Sequence, residues 1–102
     1  MIARVWRGAT RAADAETYGA YLEETGMRNA RALPGSRGTL VLRRVEGGRA
    51  LFETILLFES LDDIRAFAGD ELEHAVFFPE DDRYLVERDL EVRHFEVDMN
   101  LV

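Results

Sequence analysis

The chain has 102 residues, 47% hydrophobic and 32% charged, which is the balance of one soluble folded domain, expected over 1–102, and excludes a disordered chain. It has no cysteine, so disulfides, thiolate nucleophiles and cysteine metal sites are excluded. A formal charge of −7, from 20 acidic and 13 basic residues, repels a phosphate backbone and argues against a nucleic-acid partner.

MIARVWRGAT enters directly into strand-like alternation instead of a charged, apolar and small-residue leader, and no apolar run approaches the roughly 20 residues of a membrane helix. A cytoplasmic address without membrane association is the expectation. Ile2 to Arg7 (IARVWR) reads as the first strand, ending at Gly8, with Ile2, Arg4 and Trp6 on one face and Ala3, Val5 and Arg7 on the other. Thr10 is placed to cap a helix with an alanine-rich body, RAADAETYGAYLEETG, a stop at Gly26, and Tyr18, Tyr21, Leu22 and Thr25 at helical spacing on its inner face.

Met27 to Ser36 contains LPG and reads as a loop or short helical turn. Thr39 to Val45 and Ala50 to Phe58 flank EGGR, a glycine pair between β-rich runs that predicts a tight hairpin. Arg43, Arg44 and Arg49 near its turn read as a solvated hairpin end. The second strand, ALFETILLF, is apolar at nearly every position from Ile55, so both of its faces need cover. A second copy of the chain is the simplest cover for the face away from the helices, which predicts a homodimer packed sheet to sheet.

Ser60 opens a helix with Asp63 completing an [ST]-x-x-[DE] cap, Ile64, Phe67 and Ala68 inward, and Gly69 as its end. Asp70 to Phe78 is expected to add a helical turn or two and Pro79 to Val86 another, before a last strand over Leu90 to Val97. Within PEDDRYL, Pro79 suits a first helical position, Glu80, Asp81 and Asp82 favour the positive helix end, and Arg83 is spaced to pair with Glu87. The order strand, helix, strand, strand, helix, strand predicts an α+β, ferredoxin-like antiparallel sheet with helices on one face.

That order, the GG hairpin, FESLDDIRAFAGDE, AVFFPEDDRYL and the ending VRHFEV resemble the antibiotic biosynthesis monooxygenase-like proteins of the dimeric α+β barrel group, from Met1 to about Val97. The group includes cofactor-independent aromatic oxygenases, haem-degrading enzymes and members without known activity, so the resemblance implies a fold more firmly than a reaction. It implies a dimer formed by sheet packing and a cavity in each subunit between its sheet and helices. Trp6, Tyr18, Tyr21, Phe67, Phe77 and Tyr84 are the residues that would line such a pocket, though a small domain also needs its aromatics as core.

The haem-degrading relatives use an asparagine near the end of the first strand, a tryptophan in the helix after the third strand and a histidine just beyond. Here Arg7 or Trp6, Phe67, and Phe77 or Phe78 occupy those places, and His74 falls about a helical turn early, which makes haem degradation the third reading. Two histidines far apart are no metal motif, and no Ser-His-Asp group, phosphate loop or flavin fingerprint occurs, so neither metal nor cofactor is expected.

His74, in ELEHAVFF, would on a helix face Asp70 and Glu71 on one side and Phe77 and Phe78 on the other, an arrangement suited to a general base for a phenol. His94 lies in VRHFEV with Val92 and Glu96 on its face, and alternation leaves open whether it turns to the cavity or the dimer seam. The leading functional reading is a cofactor-independent monooxygenase acting on a small aromatic or polyketide-like phenol, with His74 or His94 as base. The alternative is a non-catalytic dimeric module that binds a small ligand or serves as an accessory protein.

Overall fold

The computed structural model describes residues 1–100, so the last two positions of the expected domain, 101–102, lie outside the described residues. Strand β1 (Ile2–Arg11) leads through a 3-10 turn (Ala12–Asp14) into helix α1 (Ala15–Leu22), a π-helical turn (Glu23–Met27) and helix α2 (Arg28–Arg31). The hairpin of β2 (Ser36–Glu46) and β3 (Arg49–Phe58) follows, then α3 (Leu61–Ala68), α4 (Asp81–Tyr84), β4 (Leu85–Arg88) and β5 (Arg93–Glu96). The sheet is antiparallel in the order β2-β3-β1-β4, and β5 pairs with β1 beyond β4, at Ile2 to Val5, where β4 takes Gly8 to Thr10. The last strand of the expected ferredoxin-like α+β arrangement is therefore split in two.

Alternation assigns the two faces. Trp6 on β1 and Phe52, Leu56 and Phe58 on β3 are buried with Tyr18, Leu22, Met27 and Ala30 of the first helical stretch and Ile64 of α3. Full burial of side chains such as Tyr18, Phe58 and Ile64 stabilises the domain by about 1.5–3 kcal/mol each. On the opposite face lie Leu40 and Leu42, paired with Ile55 and Glu53, and Phe95, paired with Ala3. Leu40 is 51%, Leu42 46% and Phe95 51% exposed, so this sheet face is an uncovered apolar surface on the single chain.

Several local expectations hold. Gly47 takes φ +59° in the hairpin turn, a conformation that favours glycine. The Ser60 hydroxyl accepts from the Asp63 amide at 3.2 Å, and Gly69, at φ +77°, ends α3. Arg43, Arg44 and Arg49 are solvated and paired with Glu16, Glu46 and Glu87.

Others are corrected. Strand β1 runs past Gly8 to Arg11 because β3 offers partners as far as Arg49. Thr10 is thus a buried strand residue with its hydroxyl donating to the Arg11 carbonyl, and caps no helix. Gly26 does not stop the first helical stretch; it sits in the π-helical turn, where a Cβ would meet the Phe78 ring at 3.5 Å. Asp70 to Phe78 is irregular, with a bridge from His74 to Glu91, the Ala75 amide donating to the Leu90 carbonyl (2.9 Å) and the Val92 amide to that of Glu73 (2.7 Å). Its backbone bonds go to the β4–β5 connection, so this stretch is a strap laid over the sheet and not a helix. Pro79 precedes α4 without entering it, and the chain turns extended at Leu85, which leaves Arg83 paired with Glu80 while Glu87 meets Arg49 across the sheet.

Gly8 lies beneath the indole of Trp6, and a Cβ there would come within 2.8 Å of Trp6 Cζ2. Gly8→Ala is expected to push the ring off its seat and destabilise the fold by about 1–3 kcal/mol. Urea unfolding measures the loss, and a red-shifted emission of the sole tryptophan reports the ring's displacement.

Candidate functional site: a cavity between sheet and strap

The strap and the π-helical turn border a cavity against the helical face of the sheet. Arg4 and Trp6 come from β1, Thr54 and Leu56 from β3, Thr25, Gly26 and Met27 from the π-helical turn, Phe67 from α3, and Val76, Phe77 and Phe78 from the strap; Tyr18, Leu22, Asp81 and Val92 complete the wall. A π-turn inside a helical stretch often marks a functional site, and here it turns Thr25 to the cavity. The space within is about 50 Å³, room for on the order of three water molecules.

Arg4 is the cation of this site and is 2% exposed. Its Nη1 donates to the Leu72 carbonyl at 2.6 Å and lies 3.0 Å from His94 Nε2, while Nη2 donates to the His74 carbonyl at 2.7 Å. The guanidinium stands 5.8 Å from the centre of the Phe67 ring. Burial lowers its pKa to about 10, against an opposing pull from Glu73, so it remains charged at neutral pH. Among the described residues no carboxylate lies within 4.0 Å of it.

The second polar group is a phenol and a carboxylate. The Tyr18 hydroxyl donates to Asp81 Oδ1 at 2.7 Å, and the Phe78 amide donates to Asp81 Oδ2 at 2.6 Å. Tyr18 is fully buried and Asp81 is 4% exposed. Burial first, then the bond to Asp81 and its charge, push the Tyr18 pKa well above the ordinary phenol range, so Tyr18 serves as a neutral donor.

Of the sequence-expected lining residues, Trp6, Tyr18, Phe67 and Phe77 reach the wall. Trp6 donates from Nε1 to the Asp89 carbonyl at 2.9 Å and meets Phe77 edge-on at 6.2 Å. Tyr21 and Tyr84 stand behind the wall, packed on Tyr18 with ring centres 6.2 and 5.7 Å away. The helix that was to set His74 between carboxylates and phenylalanines is absent; His74 is exposed and contributes its carbonyl to Arg4. His94 pairs with Arg4 across the sheet, which turns it to the helical side and away from the outer face, though it does not line the cavity. Desolvation, then the Arg4 charge, lower its pKa despite Glu73, so its imidazole is neutral at pH 7.

Arg4 and Asp81 are the principal site residues not singled out from the sequence. Arg4 had a signal, a cation sharing a strand face with Trp6; Asp81 had none that distinguishes it from Glu80 and Asp82. Among the described residues no group of three or more histidine or acidic side chains is placed to hold a metal ion.

No protein-family model matches the chain, and no curated protein matches it. Solved structures do. The haem degrader MhuD of Mycobacterium tuberculosis, described with two haems in its active site, superposes with a TM-score of 0.63 at 18% identity over 100% of both chains. Rv0793 of the same organism gives 0.59 at 16% identity, covering 99% of this chain and 98% of that one. A variant of MhuD with two manganese protoporphyrins per active site gives 0.63 at 17% identity over 100% and 99%. At these identities the likeness establishes the ferredoxin-like α+β fold.

A phenol with a folded pKa above its unfolded value of 10.0 contributes stability that is full below that pH and lost as the pH rises past it. Alkaline unfolding with onset near pH 10 is therefore expected, and Tyr18→Phe should blunt it while costing about 1.5–3 kcal/mol at pH 7 through the lost bond to a charged acceptor. Denaturant curves at a series of pH values check both parts. For His94 the sign is opposite: a depressed pKa contributes stability present above 6.5 and lost as the pH falls through the folded value. NMR titration should place its midpoint below 6.5, and His94→Gln should flatten the stability change between about pH 7.5 and 5.5.

Proposed function

We propose that this chain is an antibiotic biosynthesis monooxygenase-like protein that binds a small aromatic or polyketide-like phenol between its sheet and its strap. The observation that carries this reading is the wall itself: Trp6, Tyr18, Phe67, Phe77 and Phe78 surround a few fixed polar groups, Arg4, Thr25, Thr54 and Asp81. The space of about 50 Å³ is far smaller than a ring system, so binding requires the strap carrying Val76 to Phe78 to shift. Binding in a homodimer is the reading the geometry supports best. The apolar outer sheet face, with Leu40, Leu42 and Phe95 about half exposed, supports sheet-to-sheet pairing.

Oxygenation of the bound phenol without a cofactor is the second reading, favoured by the neutral imidazole of His94 beside Arg4. In it the shift of the strap must also open the cavity to His94, which stands beside Arg4 and off the wall, before His94 can remove the phenol proton and Arg4 hold the phenolate; His74, exposed on the outside of the strap, has no part. Haem does not fit the residues present: neither imidazole lines the cavity, and Tyr18, the phenol on its wall, is held protonated by Asp81. No described helix is long and apolar enough to cross a membrane, in keeping with a cytoplasmic address as part of this proposal.

Hydroxylated naphthalenes are expected to quench Trp6 fluorescence saturably, and native mass spectrometry to show a dimer retaining the ligand. A monomer at micromolar concentration rules out the dimer, and absence of saturable quenching rules out the pocket. Oxygen uptake with the same panel separates the readings: substrate-dependent uptake lost in His94→Ala and kept in His74→Ala establishes the oxygenase, and no uptake leaves the binding module.

A further inference from the structure

We infer that the ligand of this cavity is an aromatic anion, with an ionised carboxylate or phenolate oxygen received by Arg4; the inference rests on the aromatic-pocket reading above. A guanidinium 2% exposed is costly unless its charge is answered. Here the contacts within reach are two neutral carbonyls, of Leu72 and His74, and the imidazole of His94. The Glu73 side chain is near enough to act on Arg4 electrostatically but makes no ion pair with it, and its residue is exposed. Asp81, the one carboxylate among the lining residues, is accounted for, since it accepts from Tyr18 and the Phe78 amide.

A staple for the strap carbonyls needs donors but not a permanent positive charge. A guanidinium carries five N–H groups, more than these contacts use, and arranges them in a fork suited to a carboxylate. An ionised oxygen is a stronger acceptor than a carbonyl. An anion competing for Arg4 would therefore loosen the bonds that hold Leu72 and His74, and with them the strap that closes the cavity. Discrimination would be local, because the whole-chain charge of −7 repels anions in general.

The test compares 2-naphthoate with the uncharged 2-naphthalenemethanol, following Trp6 fluorescence at pH 7. The anion is expected to bind about tenfold tighter or more. The Arg4→Met variant is expected to lose that preference, read as the ratio of the two affinities measured in the same variant. Should that variant fail to fold, the wild-type Arg Nε–Hε NMR spectrum decides, with a shift of the Arg4 signal on adding naphthoate but not the alcohol. Equal affinity for the two probes, or naphthoate shifts confined to other arginines, overturns the anion inference and leaves the aromatic pocket standing. Saturable quenching by neither probe overturns both.

Discussion

The buried guanidinium of Arg4 is the interaction on which the arrangement of this protein turns. It rises from the central strand β1 and takes hold of the Leu72 and His74 carbonyls, so an irregular segment lies down as one wall of a cavity. The same group meets His94 on β5. Sheet, strap and final strand thus converge on one charge. Backbone groups in a nonhelical segment must find partners elsewhere, and Arg4 together with the β4–β5 connection supplies them.

A second clamp acts at the far end of the strap. Asp81 accepts from the Phe78 amide and from Tyr18, which joins the end of the strap to α1. Between the two clamps, Val76, Phe77 and Phe78 face the cavity. Arg4 and Asp81 both line the cavity and hold the strap, so under the proposed function ligand recognition and strap position are one problem in electrostatics. MhuD shares the fold, and in this chain both imidazoles stand off the cavity wall. A shared fold does not by itself give a shared function.

Legibility followed the range of the interaction. The Gly47 turn and the Ser60 cap were readable because their physics is completed within a few residues. Trp6, Tyr18, Phe67 and Phe77 were named as lining residues from their aromatic character, and they reach the wall. Strand β1 continues past the apparent stop at Gly8 because what extends it is β3, some 40 residues distant. The stretch Asp70 to Phe78 has apolar spacing compatible with a helix, while its backbone partners lie at Leu90, Glu91 and in the Arg4 side chain.

By itself the sequence determined the order of elements from β1 through α3, the hairpin, the α3 boundaries and the apolar character of both faces of β3, because turn chemistry, capping and alternation are local properties. Only the tertiary structure decided that Arg4 is buried beside His94, that His74 turns outward, and that Asp81, alone among the three adjacent carboxylates of Glu80 to Asp82, is buried. The reason is physical: a charged side chain reads as exposed until the fold brings it partners, and those partners are dozens of residues away.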